Sequence, residues 1–176
     1  MSKSDYYALC LEKVCNKENE LNELLKKEYS VSVFQQWLNL MKIKIRKQIQ
    51  CENGGGTDNY NTIYYQKMLI ELQRKMNELD EILTTEYSEN IFSQWYKVSE
   101  IKCIIIATNK DDGYTEKEKD LYFYELVNDE MMKSLETVST DQLHRWEKLT
   151  DFSIRFLLKI ATLKNEKITG TVPTKF

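Results

Sequence analysis

The sequence predicts an all-α protein: three tandem antiparallel helical hairpins, six long helices in all, folded as a single domain over 1–176. Three observations carry that prediction. The stretch LNELLKKEYSVSVFQQWLNLMKIK at 21–44 returns as LDEILTTEYSENIFSQWYKVSEIK at 79–102. Apolar residues recur three and four apart, the helical period, rather than alternating. Pro173 is the one proline, so no proline interrupts the helices upstream of it.

The repeat sets the frame. At an offset of 58, Leu21, Leu25, Glu28, Tyr29, Ser30, Phe34, Gln36, Trp37 and Lys44 recur as Leu79, Leu83, Glu86, Tyr87, Ser88, Phe92, Gln94, Trp95 and Lys102. An eroded third copy aligns Ser139, Leu143 and Trp146 with Ser88, Phe92 and Trp95 at an offset of 51. All three tryptophans thus share one repeat position, and Phe34, Phe92 and Leu143 each precede one by three. Aromatic residues at that spacing bury a large apolar area, so Trp37, Trp95, Trp146, Phe34, Phe92 and Leu143 are expected to be structural anchors.

Each element follows from local pattern. The first helix opens near Ser4, with Leu11, Val14, Leu21 and Leu25 on a seven-residue apolar repeat in which Glu18 fills a hydrophobic slot. It breaks at Tyr29-Ser30, where Ser30 or Ser32 caps a second helix carrying Phe34, Trp37, Met41, Ile45 and then Gln48 or Ile49. Gly54, Gly55 and Gly56 cannot hold a helix and close the first unit, about 4–53. The second unit, about 60–110, carries Tyr65, Leu69, Leu72, Met76, Leu79 and Leu83, then a Ser88-capped helix with Ile91, Phe92, Trp95, Val98, Ile101 and Ile105. In the third, about 114–167, Thr115 caps a helix burying Tyr124, Val127, Met131, Leu135 and Val138. Ser139 and Gln142 have the spacing of a capping box, and Leu143, Trp146, Leu149, Phe156, Leu157, Ile160 and Leu163 are expected to be buried beyond it. Residues 168–176 read as a loose tail.

Helices of 20 to 25 residues would be roughly 30–38 Å long. Three units without dedicated polar caps favour a compact bundle over a short solenoid. The unit is longer than a tetratricopeptide or ankyrin repeat and lacks their glycine and proline signatures, and a spectrin-like repeat would need three helices per unit.

Composition excludes more than it assigns. The net charge of −3 is too small to imply a polyanionic partner by itself, so bulk charge decides nothing. The N-terminus has no long apolar segment with a small-residue cleavage site, and no window reaches 18 apolar residues, so neither secretion nor membrane insertion is expected. Cys10, Cys15, Cys51 and Cys103 have neither CxxC nor metal-site spacing and read as buried free thiols of a reducing, cytoplasmic compartment.

No enzyme, cofactor or metal signature emerges. His144 is the one histidine and has no local Ser, Cys or carboxylate arrangement resembling a triad. The carboxylates of 116–130 do not form Glu-x-x-His pairs, the triple glycine has no downstream Lys-Ser or Lys-Thr, and Asp111-Asp112-Gly113 is too short for a calcium loop. Lys42, Lys44, Arg46 and Lys47 form a compact basic run; they could contact phosphate, or simply be a solvated face at a helix C-terminus. Gln36 and Gln94, beside two of the tryptophans, could hydrogen-bond a neighbouring helix or turn.

The expected function is that of a non-enzymatic helical-repeat scaffold or adaptor binding another protein, its own copy included. Leu38 and Tyr96, at equivalent sites but different in kind, are the candidate partner face, since variation on a constant frame is how repeat proteins acquire partners. The alternative is a nucleic-acid-binding module using the basic run with Lys159, Lys164 and Lys167.

Overall fold

The computed structural model describes residues 2–53, 59–109, 113–139 and 141–169. Among them it forms six helices and no strands: α1 (Lys3–Lys27), α2 (Val31–Asn53), α3 (Tyr60–Thr85), α4 (Glu89–Thr108), α5 (Glu116–Thr137) and α6 (Leu143–Thr169). They pair as hairpins, α1 with α2, α3 with α4 and α5 with α6. The triple glycine, residues 110–112 and the tail from 170 lie outside the described residues. The tail was expected from 168, but α6 continues to Thr169.

The helix starts show why these segments begin where they do. Ser2 caps α1: its hydroxyl accepts the Asp5 N–H at 3.1 Å while its own N–H donates to the Asp5 carboxylate at 3.0 Å. Ser30 opens α2, accepting the Val33 N–H at 3.3 Å, and Ser88 accepts the Ile91 N–H at the same distance. Ser30, not Ser32, is therefore the cap, and the repeat reproduces it atom for atom. Thr115 caps α5 through the Glu118 N–H at 3.2 Å. The third copy departs from this scheme. The Ser139 hydroxyl bonds the Asp141 carboxylate, and α6 begins only at Leu143.

Two compact units result, and their boundary passes through α3 and α4 rather than between hairpins. The first comprises Met1–Asp80 with Ser88–Trp95, the second Glu81–Tyr87 with Tyr96–Phe176. In the first unit, Val14, Leu21 and Leu25 of α1 are buried, as are Phe34, Trp37, Met41, Ile45 and Ile49 of α2. Met68, Leu72, Met76 and Leu79 of α3 and Ile91, Phe92 and Trp95 of α4 complete that core. Side chains such as Met41 and Ile45, removed wholly from water, each contribute roughly 1.5–3 kcal/mol. The second unit buries Leu83, Val98, Cys103, Ala107, Val127, Met131, Leu149, Phe156 and Ile160.

Both units repeat one polar junction. In the first, Asn90 donates to the Leu25 and Lys26 carbonyls at 2.5 and 3.0 Å, and Gln94 to the Leu25 carbonyl at 2.9 Å, so the first turns of α4 satisfy the open C-terminal end of α1. In the second, Gln142 donates to the Leu83 and Thr84 carbonyls of α3 at 2.6 and 2.9 Å. Leu83 and Thr84 are the repeat counterparts of Leu25 and Lys26. Gln36, the counterpart of Gln94, is exposed.

The tryptophan position is not equivalent throughout. Trp37 and Trp95 are 0% and 1% exposed, whereas Trp146 is 48% exposed and Leu143 58%. The third-copy anchors are corrected accordingly. The buried line of α6 runs through Arg145, Leu149, Ser153, Phe156 and Ile160, and Trp146 sits one residue, about 100° of helix, off it. Leu157 lies on the outside too. The cysteines are also corrected: Cys103 is buried, but Cys15 and Cys51 are exposed and Cys10 is intermediate.

Candidate functional site

In the first unit, polar groups beside Trp37 are consumed internally. Glu18, the carboxylate in an apolar slot of α1, accepts the Trp37 Nε1–H at 2.7 Å and the Arg74 guanidinium at 2.9 Å. Arg74 also reaches Glu71 at 2.8 Å and Glu78 at 2.6 Å, and Lys44 donates to Glu71 at 2.7 Å. Burial alone would raise the Glu71 carboxyl, but hydrogen bonds from Lys44 and Arg74, and their charges, hold it below the ordinary value. Burial works against the Arg74 charge as well, yet the Glu18 and Glu71 carboxylates raise it above its usual range. Lys75, buried on α3, donates to the Asn22 side chain at 2.6 Å and stands 5.4 Å from the Trp37 ring centroid. Desolvation lowers its ammonium.

The basic run is thereby dispersed. Lys44 faces inward onto Glu71, Lys47 lies over the Tyr6 ring at 5.3 Å, Arg46 is exposed and Lys42 half-buried. Of the α6 cations, Lys159 lies over the Tyr124 ring at 5.8 Å and Lys164 reaches Glu125 at 3.5 Å. The Lys167 side chain lies outside the described residues. His144 is exposed, its ring 6.0 Å from Tyr87. Among the described residues no group of three His, Cys, Asp or Glu side chains could hold a metal ion, and no helix is long and apolar enough to cross a membrane.

A concave site does exist in the second unit, between α4, α5 and α6, with a volume of about 990 Å³. Tyr96 anchors it. Half-buried, its ring stacks on Phe152 at 4.5 Å and 7° and continues to Phe156 at 6.5 Å. Burial and the Glu100 carboxylate, to which its hydroxyl hydrogen-bonds, push that hydroxyl up, so it stays protonated. Tyr96 therefore builds the site rather than presenting a free face. Leu38, its counterpart, is half-buried on α2.

Around this floor, Ile104 and Ala107 come from α4, Phe123 and Tyr124 from α5 and Phe156 from α6. The rims are charged and unequal. The α5 wall brings Glu116 and Asp120, with Lys119 between them reaching the Thr108 carbonyl at 3.5 Å, while the α6 wall brings Arg155 and Lys159. Arg155 is held over the Phe152 ring at 5.1 Å. Behind the site, Ser153 donates to Asn128 at 2.9 Å and Lys102 pairs with Glu130 at 2.7 Å, fixing α6 and α4 on α5. Here the sequence singles out Tyr96 as a partner-face residue and Lys159 as a nucleic-acid contact. Arg155, Lys159, Phe123 and Glu100 come from three helices and carry no shared spacing that would have joined them.

An apolar floor between rims of opposite sign suits recognition of an amphipathic surface. Neither the family models, nor the curated proteins, nor the solved structures compared with this chain match it.

Proposed function

We propose that this chain is a non-enzymatic helical scaffold that binds another protein, taking an amphipathic helix of its partner into the groove between α4, α5 and α6. One observation carries the reading: aromatic side chains line an open concave surface whose walls carry carboxylates on α5 and cations on α6. The α4 edge of the groove, residues 96–108, is roughly 18 Å long, which accommodates about three turns of a docked helix. Such a partner would present apolar residues at i, i+3, i+4 and i+7, basic residues toward α5 and acidic ones toward α6.

Selection of helical peptides from a display library tests this. The expected ligands have that pattern and lose binding on Ile104→Glu, a half-exposed groove position, but not on Ile43→Glu on α2. Ligands indifferent to Ile104→Glu would overturn it.

A further inference from the structure

The outer face of α6 is apolar where an edge helix facing only water would be polar. Trp146, Thr150, Ile154 and Leu158 stand four apart and form one ridge across that face; Trp146, Ile154 and Leu158 are 48%, 52% and 62% exposed. The next ridge, Glu147, Asp151, Arg155 and Lys159, carries two negative charges followed by two positive ones. Ridges of this kind interdigitate when two helices pack.

We propose that this face binds α6 of a second copy, antiparallel, about a two-fold axis near residues 152–153. The proposal rests on the same reading of the chain as an interaction scaffold; its face adjoins the groove and shares Arg155, Leu158 and Lys159 with the α6 wall. Charge order selects both occupant and direction. Reversing the helix sets Glu147 against Lys159 and Asp151 against Arg155 of the other copy, since both pairs are symmetric about residue 153. The apolar ridge pairs about a centre one residue away: Trp146 meets Leu158 and Thr150 meets Ile154, both about residue 152. A parallel copy would set like charges together.

Sedimentation velocity over a concentration series reads the outcome. The wild-type chain is expected to show a dimer. Ile154→Glu, at an exposed position, should weaken it more than about 30-fold without loss of helical circular dichroism. Asp151→Arg should weaken it about 10-fold, and adding Arg155→Asp to the same chain should restore it, because the two-fold returns opposite charges to the same contact. A chain monomeric at every concentration, a dimer that survives Ile154→Glu, or a double variant no better than Asp151→Arg would each overturn the assignment. Ile104→Glu should leave the dimer intact, so loss of groove binding and loss of self-association are separate results.

Discussion

Trp37 and Trp146 hold the same place in the repeat, three residues after Phe34 and Leu143, yet one is sealed in the first unit and the other meets solvent in the second. The difference lies in what surrounds the helix. Trp37 lies on the buried line of α2, with Glu18 receiving its indole N–H and Lys75 over its ring. On α6 the buried line is set by Gln142 gripping the α3 carbonyls and Ser153 gripping Asn128, which turns Arg145 and Leu149 inward and Trp146 out. Repetition of sequence therefore transmits helix and cap, while the environment of a side chain depends on its neighbours in space.

The strongest way to break that comparison is truncation of both indoles. Trp37→Ala is expected to lower unfolding free energy by about 3–5 kcal/mol and Trp146→Ala by no more than about 0.5 kcal/mol, read by urea denaturation at concentrations where the chain is monomeric. Equal losses would erase the distinction.

Next come two lysine–glutamate pairs whose lysines, Lys44 and Lys102, are repeat counterparts. Lys44–Glu71 is bound into the Glu18 and Arg74 network, whereas in the second copy the position matching Glu18 is Met76. Glu71→Ala should cost about 3 kcal/mol, because it strands a nearly buried lysine, and Glu130→Ala less than that. The acid limb sharpens the same contrast. The folded pKa of Glu71 lies below its ordinary 4.5, so its stabilisation is complete above that value and disappears as pH falls through the folded one. Stability should therefore decline below about pH 4.5, and Glu71→Gln should flatten the decline.

A smaller effect separates the two glutamines of the repeat. Gln94→Ala should cost about 1 kcal/mol, since the buried amide serves the Leu25 carbonyl, and Gln36→Ala nothing measurable. The cysteines differ in rate alone. Burial, aided by Glu130, pushes the Cys103 thiol up to about 12, so a thiol reagent at pH 8 should modify Cys15 and Cys51 and reach Cys103 only after unfolding.

Much of the fold was legible because it is written in neighbours along the chain. The Ser30 and Ser88 caps, the apolar line of α2, that of α3 from Leu72 to Leu83 and the hairpin pairing follow from spacings of three to seven residues, whereas at the start of α3 Met68 is buried and Tyr65 and Leu69 are half-buried. Of the candidate site, Tyr96 and Lys159 were legible, each read toward a different partner, with nothing along the chain to join them. Glu18 was visible as a charge in an apolar slot, but its partners Trp37 and Arg74 lie 19 and 56 positions away. The third copy misled because Ser139, Leu143 and Trp146 match in type while α6 starts later and turns a different line inward.

By itself, then, the sequence determined six helices in three hairpins, since helical period, caps and breaks are local and a few residues suffice to state them. Tertiary structure alone decided which face of α6 is covered, which lysines face carboxylates and where a groove opens. Burial and ion pairing depend on distances between segments far apart in the chain: Gln142 finds Leu83 across 59 positions, and no local pattern encodes that meeting.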